Sequence, residues 1–225
     1  FPGGFDPGRR QWLFQILTGP LLSHFGFLAV SIAGRLLSFG LYACAFASLA
    51  KSLRIHPALM VLVVAALDYA PSIVAGEWLF WGFESKTISY PLIFLSLSCA
   101  IRSNVNLKLV ALLTGLAVSF HPLAGLYGAF AIAGVLIWQR RPASLRQTGQ
   151  ALGIFLVSGL FAFRPIAIHL LGRGDARSAP TGPPSSYVYV YLRAPHHLDP
   201  SSWDPAWWNV FFAYILCAVL IYGLL

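Results

Sequence analysis

The chain has 225 residues, of which 58% are hydrophobic and 10% are charged, and fifteen basic residues against seven acidic ones give it a formal net charge of +8. Apolar runs of about 15 to 26 residues recur from end to end, which is more lipid-like surface than a water-soluble domain can bury. The composition therefore excludes an ordinary soluble protein. Because the runs are continuously apolar and do not alternate as barrel strands do, we predict an all-α, polytopic bundle of transmembrane helices.

In chain order, an amphipathic piece near 10–21 precedes seven predicted spans, which cover 24–50, 57–75, 87–102, 106–120, 122–138, 150–171 and 206–225. We expect one membrane domain over 1–225, divided into an outer segment (1–22), a six-helix bundle (24–171), an outer loop (172–205) and a last helix (206–225). The sequence opens without Met and stops inside an apolar run, so we expect it to be a piece of a longer protein.

The charges are distributed unevenly between the two faces of this predicted bundle. Loops on one face hold seven basic residues and no acid, namely Lys51, Arg54, Arg102, Lys108, Arg140, Arg141 and Arg146. Cytoplasmic loops of membrane proteins carry such an excess, so we predict that this face, with its 140–146 loop, is cytoplasmic. Topology thus accounts for the net charge, and we predict no nucleic-acid partner.

Three charges fall within predicted spans, where an ionisable group is costly and usually faces a partner or a cavity. Arg35 and Asp68 have nearly equal estimated depths, about 15 Å below the outer face, which predicts an ion pair between neighbouring helices. The alternative is a cavity-lining pair that contacts substrate. Arg164 precedes Pro165 about 9 Å below the same face, where it could bind the phosphate of a lipid carrier or extend to the headgroups.

Three separate segments deliver further polar residues to the outer face. Glu84 and Lys86 lie before the third span, and His121 lies at the tip of a predicted hairpin. A loop with proline on both sides supplies Arg193, His196, His197 and Asp199. Such a set could form an acid/base site at the aqueous boundary or hold a divalent cation, although no spacing matches a metal-ligand signature. Helix capping by Glu84 and solvated histidines are the open alternatives.

Three short motifs carry a family resemblance: Phe83-Glu84-Ser85-Lys86, Phe120-His121-Pro122 and Arg193-Ala194-Pro195-His196-His197 with Pro200. Over roughly Gly19 to Trp203 the chain resembles an uncharacterised group of bacterial multispanning proteins, similar in layout to the GT-C class of membrane glycosyltransferases. The resemblance implies a bacterial inner-membrane protein with an outward-facing site that takes a polyprenyl-phosphate sugar. It also implies an acidic base on the first outer loop, a position that Asp6 in Phe5-Asp6-Pro7 could fill.

The leading hypothesis is therefore a GT-C-like glycosyltransferase whose partners are membrane lipids, the lipid-linked sugar and other membrane subunits. Its catalytic candidates are Asp6, Glu84 and His121. Its substrate-binding candidates are Lys86, Arg164, Arg193, His196 and His197. Two alternatives stay open: a non-catalytic structural subunit of a membrane complex, and a transporter, which is disfavoured because the sequence shows no repeated halves.

Overall fold

The structure is a computed structural model, and it describes residues 12–69, 82–139, 143–163, 167, 201 and 204–224. Within these residues the chain is all-α, as predicted, and no strand occurs. The helices are α1 (Trp12–Leu53), α2 (Pro57–Tyr69), α3 (Ser85–Ile101), α4 (Leu107–Phe120), α5 (Pro122–Trp138), α6 (Leu145–Ser158) and α7 (Pro205–Leu224).

The chain divides into two compact units. The first comprises Phe1–Met60 and Leu79–Arg173, and its described helices are α1 and α3 to α6. The second comprises Val61–Trp78 and Gly174–Leu225, and it contains most of α2 together with α7. All helix packing described below belongs to the first unit.

The observed bounds of α3, α4, α5 and α7 lie within two residues of the predicted spans. The start of α6 differs, because Ser144 and Gln147 form a capping box that begins this helix five residues before the predicted position 150. The Gln147 N–H donates to Ser144 Oγ at 3.2 Å, and the Ser144 N–H donates to Gln147 Oε1 at 3.0 Å. The helix then ends at Gly159, and a helical turn follows at 160–163.

The helix α1 turns sharply at Gly26, whose φ of 76° lies in the left-handed region that favours glycine. In a straight helix Phe14 and Gly34 would lie about 30 Å apart. The ring of Phe83 nevertheless lies 5.1 Å from the ring of Phe14, centroid to centroid, and fills the space that a Cβ on Gly34 would need. The segment 12–25 is therefore a separate helical piece that turns back toward 27–53, in agreement with the two elements predicted here.

Buried hydroxyl groups join α1 to α3. Ser38 Oγ lies 3.3 Å from Thr87 Oγ1. About three turns further along α3, Ser98 Oγ lies 2.7 Å from Ser48 Oγ and 2.8 Å from Ser52 Oγ. The residue numbers of these pairs increase together, so the two helices run parallel.

Buried hydroxyl groups also join α3 to the antiparallel helix α4. Ser96 Oγ lies 2.7 Å from Thr114 Oγ1 and 3.1 Å from the carbonyl oxygen of Val110. Toward the other end of α3, Ser89 Oγ donates to the carbonyl of Ala117 at 2.9 Å. Each of these groups has a partner, as a buried hydroxyl requires.

Small residues allow the remaining helices to pack closely. A Cβ added to Gly115 of α4 would collide with Ser158 and with the carbonyl of Phe155 in α6. A Cβ on Gly125 of α5 would collide with the backbone of α4 at Val118. The α4–α6 and α4–α5 contacts therefore depend on the absence of a side chain at these two positions.

The interior of the first unit is rich in small and hydroxyl-bearing side chains, whereas many large apolar side chains lie on its surface. The most completely buried side chains include Ser85, Thr87, Ser89, Ser96 and Ser98, while large apolar side chains stay exposed. Phe27, Phe130 and Ile137 are 77%, 73% and 76% exposed. Soluble proteins bury such residues, whereas transmembrane helices bury small and hydroxyl-bearing ones and expose large apolar ones to lipid.

Among the described residues, one helix is both long and apolar enough to cross a membrane, and this is α1 from Leu13 to Leu53. The helices α3, α4 and α5 are apolar but have only 17, 14 and 17 residues. At 1.5 Å per residue they extend about 21 to 26 Å, which is less than a hydrocarbon core of about 30 Å. The predicted set of seven spans therefore stays a prediction.

We predict that the Ser96–Thr114 hydrogen bond couples α3 to α4 energetically. In a double-mutant cycle of Ser96→Ala and Thr114→Val, the free energies of unfolding in mixed micelles should deviate from additivity by about 0.5 to 2 kcal/mol. Thr114→Ser, which keeps the hydroxyl, is the matched control and should retain most of the coupling. Additive free energies in the cycle would contradict a direct bond.

Candidate functional site

Apart from Arg35 within α1, the described charges of the first unit lie at its two ends. Parallel and antiparallel packing brings the ends of α1, α3 and α5 together with the starts of α4 and α6. Five basic residues lie at this end, which we call the basic end: Lys51, Arg54, Arg102, Lys108 and Arg146. No described acidic residue lies there. The opposite end, which we call the carboxylate end, is defined by Glu84, Lys86 and His121.

Glu84 occupies the N-cap position of α3 and is exposed. Its Oε2 atom lies 3.7 Å from Nζ of the half-buried Lys86. The Glu84 N–H donates to Thr87 Oγ1 at 3.2 Å, and the Thr87 hydroxyl lies 2.8 Å from the Glu84 carbonyl oxygen. A carboxylate here is stabilised by the positive end of the helix dipole. Helix capping therefore accounts for the position of Glu84 and still leaves its carboxylate at the surface.

His121 both ends α4 and begins α5. Its N–H donates to the carbonyl of Ala117 at 3.0 Å, and its Nδ1 atom accepts the N–H of Ala124 at 3.2 Å. Its carbonyl accepts the N–H of Gly125 at 2.8 Å, and Pro122 is the first residue of α5. An Nδ1 atom that accepts a hydrogen bond carries no proton, so the neutral ring is protonated on Nε2.

A second histidine caps the start of α2, although it accepts from the second helical residue, whereas His121 accepts from the third. His56 Nδ1 accepts the N–H of Ala58 at 3.2 Å, and the His56 carbonyl accepts the N–H of Leu59 at 3.0 Å. Like His121, this histidine directly precedes a proline, Pro57, that begins the helix. Sequence reasoning missed this role, although the His-Pro pair occurs twice in front of an apolar run and proline favours the first helical position.

The structure brings three of the predicted site residues to one end. The carbonyl of Ala117 accepts hydrogen bonds from both Ser89 Oγ and the His121 N–H, which ties the start of α3 to the α4–α5 tip. Glu84 precedes Ser89 by five residues, or about 7.5 Å of helix. Glu84, Lys86 and His121 therefore share the carboxylate end.

The other predicted site residues lie outside the described residues, and their convergence stays a prediction. They are Asp6, Arg164, Arg193, His196, His197 and Asp199. The same holds for Arg140 and Arg141 of the predicted cytoplasmic loop.

The predicted Arg35–Asp68 ion pair also stays a prediction. Arg35 lies in α1, nine residues after Gly26, where it is exposed and forms no ion pair with any residue that the structure describes. Asp68 lies in α2, but its side chain is outside the described part of the chain.

In the ranges that the structure covers, no group of three or more His, Cys, Asp or Glu side chains could hold a metal ion. Glu84 and His121 are the described members of the predicted His and carboxylate set. A divalent cation at the carboxylate end would therefore need ligands from beyond the described ranges.

A large cavity lies at the basic end, which sequence reasoning did not single out. It has a volume of about 1110 Å³ and is bounded by the α3–α4 loop, α4, α5 and α6. Lys108, Gln147 and Thr148 contribute polar groups, and Ile132 and Phe155 contribute apolar walls. The cavity predicted from sequence belongs to the opposite end, so this one is a separate feature.

The chain was compared with protein-family models, curated proteins and solved structures. None of them matches it. The resemblance to bacterial multispanning proteins and to the GT-C class stays a prediction, and the functional argument depends on the residues themselves.

We predict that substitutions of His121 can separate its role as a helix cap from a chemical role of its ring. His121→Asn supplies an alternative capping acceptor, whereas His121→Ala removes it and should lower the free energy of unfolding by about 1 kcal/mol. The matched pair His56→Asn and His56→Ala should behave in the same way. Thermal unfolding in detergent measures both pairs, and equal stability of the Ala and Asn variants would show that the caps contribute nothing.

Proposed function

We propose that this chain is a multi-pass membrane protein of the bacterial inner membrane, with the basic end in the cytoplasm. The supporting observation is the inverted packing of the first unit, in which hydroxyl groups and glycines are buried and large apolar side chains are exposed. Local thinning of the bilayer or tilting of neighbouring helices accommodates helices as short as α4.

The asymmetry of charge supports this orientation. Lys51, Arg54, Arg102, Lys108 and Arg146 lie at one end, where the described chain has no acid to offset them. Basic residues close to the ends of membrane helices favour retention in the cytoplasm. Glu84 and His121 then face the outside.

Labelling of intact cells tests this orientation. In a chain with Cys44, Cys99 and Cys217 replaced by alanine, an impermeant maleimide should label Leu123→Cys at the carboxylate end. It should label Ala143→Cys, which precedes α6, only after the inner membrane is permeabilised. The reverse labelling pattern would contradict the orientation, and labelling of both cysteines in intact cells would contradict membrane embedding.

The proposed activity at the outer end is transfer of a sugar from a polyprenyl phosphate to an acceptor hydroxyl. The bond between the anomeric carbon and the phosphate oxygen breaks, and a new bond forms between that carbon and the acceptor oxygen. A carboxylate takes the acceptor proton, a role for Glu84 or for Asp6. Cationic groups stabilise the departing phosphate, a role for Lys86 with Arg164 and Arg193. His121, His196 and His197 would complete the pocket.

The observation that supports this chemistry is the common location of Glu84, Lys86 and His121. The two groups of the Glu84–Lys86 pair are 3.7 Å apart, and the carboxylate is exposed. An exposed pair of this kind contributes about 0 to 1 kcal/mol to stability, so it can separate to contact a substrate at little cost.

A second candidate function, a non-catalytic structural subunit, is favoured by the capping contacts. Glu84 and His121 both occupy helix caps, and the His56 cap shows that this chain uses a histidine for the same purpose at the basic end. The transporter alternative depends on Arg35, Asp68 and Arg164, of which the structure describes only the Arg35 side chain.

An activity assay distinguishes the enzyme from the structural subunit. The purified chain is supplied with a panel of polyprenyl-phosphate hexoses, and released polyprenyl phosphate is measured. If transfer occurs at the carboxylate end, Glu84→Gln and His121→Asn should each lower the rate by about 10²-fold or more, because proton transfer contributes that much. His56→Asn is the matched control and should keep the parent rate. Variants as active as the parent, or a parent that releases nothing, would favour the structural subunit.

A further inference from the structure

We infer that the cavity at the basic end binds one anionic phospholipid, with its acyl chain between α5 and α6 and its phosphate at Lys108. The inference concerns a site at the opposite end from the proposed sugar transfer. It depends only on the part of the proposed function that places the bundle in a membrane.

The shape of the cavity is that of a groove with α4 as its floor. Lys108, Ala111 and Thr114 line it from α4, Ala133 lines it from α5, and Ala151 lines it from α6. From Lys108 to Thr114 the floor extends about 9 Å along the helix. Its volume of about 1110 Å³ lies at the upper limit of ordinary small-molecule pockets, which hold about 300 to 1,000 Å³. The groove therefore has room for part of a lipid.

The deeper walls are apolar. Ile132 and Leu136 of α5 face Leu152 and Phe155 of α6 across the groove. The polar group on this part of the floor, Thr114, already bonds to Ser96 and to the carbonyl of Val110. An acyl chain fills such a space without leaving a polar group unsatisfied, whereas a free phosphate ion would leave these walls uncovered.

The mouth of the groove selects a negative headgroup. Lys108 lines the mouth, Arg146 is adjacent to the lining residue Gln147, and no lining residue is acidic. Asn104 and Thr148 add neutral hydrogen-bonding groups. The helices α4 and α6 both begin here, so the positive ends of two helix dipoles face the same headgroup position. This complementarity favours an anionic phospholipid over a zwitterionic one.

Lipid binding to the purified full chain tests the charge. Native mass spectrometry compares phosphatidylglycerol with phosphatidylcholine of the same acyl chains. The chain should bind phosphatidylglycerol more tightly, and Lys108→Gln should weaken that binding about fivefold without affecting phosphatidylcholine. The control is Lys51→Gln, which removes an exposed charge from the same end but outside the groove. Equal effects of the two substitutions, or none from Lys108→Gln, would overturn the assignment.

A matched pair of alanines in α5 tests the groove. Ala133 and Ala131 are both exposed, but only Ala133 lines the cavity. Ala133→Trp should therefore displace the bound lipid, and Ala131→Trp should not. If both variants keep the lipid, the groove is not its site.

The occupant of the groove can be identified by photo-crosslinking in membranes, with a photoreactive amino acid in place of Ala133. Capture of a phospholipid supports the inference. Capture of another segment of this chain, or of a second copy, would overturn it. These results are separate from the proposed membrane location, because the chain can be inserted and correctly oriented and still show no preference for phosphatidylglycerol.

Discussion

The packing of the first unit depends on one constraint: every hydroxyl group buried along α3 needs a hydrogen-bond partner. A buried polar group that loses its partner costs about 1 to 3 kcal/mol. Ser98 finds its partners in α1, Ser89 and Ser96 find theirs in α4, and Thr87 bonds to Glu84 at the start of its own helix and also contacts Ser38 of α1. A shift of α3 by one residue would break several of these bonds together. The hydroxyl groups therefore determine the register of α3 against its neighbours, which apolar side chains of similar size would not specify.

The same helix separates two ends with different chemistry. At the basic end, the Arg102 guanidinium that follows α3 donates to Ser52 Oγ at 3.2 Å and to Ser48 Oγ at 3.0 Å. Arg102 is thus both a charge of the basic end and part of the α1–α3 interface. At the carboxylate end, Glu84 and His121 combine helix capping with exposed or half-buried ionisable groups. At both ends, charged or ionisable side chains therefore also hold the helices in place.

The sequence was sufficient to predict the helices, because the length and the borders of the apolar runs determine them. The short break at His121 and Pro122 also located the α4–α5 tip correctly. The α6 start was wrong by five residues because the search followed apolar residues, whereas Ser144 and Gln147 begin that helix through polar capping. Gly159 interrupts this helix, but 160–163 are helical again, and the predicted end at 171 lies outside the described residues.

The hydroxyl partners and the cavity could not be predicted, because both depend on which helices are neighbours. Ser48 and Ser98 are 50 residues apart. Nothing in either local pattern indicates that they meet. Likewise Lys108 was predicted only as a topological charge, and its place in a groove became visible once α5 and α6 were positioned on either side of α4. Of the candidate site, Glu84, Lys86 and His121 could be assigned to one end from sequence, because each lies at the border of an apolar run and the helices between them alternate in direction.

The carbonyl of Ala117 has a consequence for any mutational survey of this protein. It accepts one hydrogen bond from the wholly buried Ser89 and another from the backbone of His121. Loss of the Ser89 hydroxyl would remove its hydrogen bond to the Ala117 carbonyl, and the α4–α5 tip could then move relative to α3. If the proposed sugar transfer takes place at the carboxylate end, Ser89 variants would lose activity as variants of Glu84 or His121 would, although the Ser89 side chain is wholly buried. A ranking of residues by loss of activity would then place an interior serine beside the proposed reacting groups, and only its effect on stability would reveal the difference.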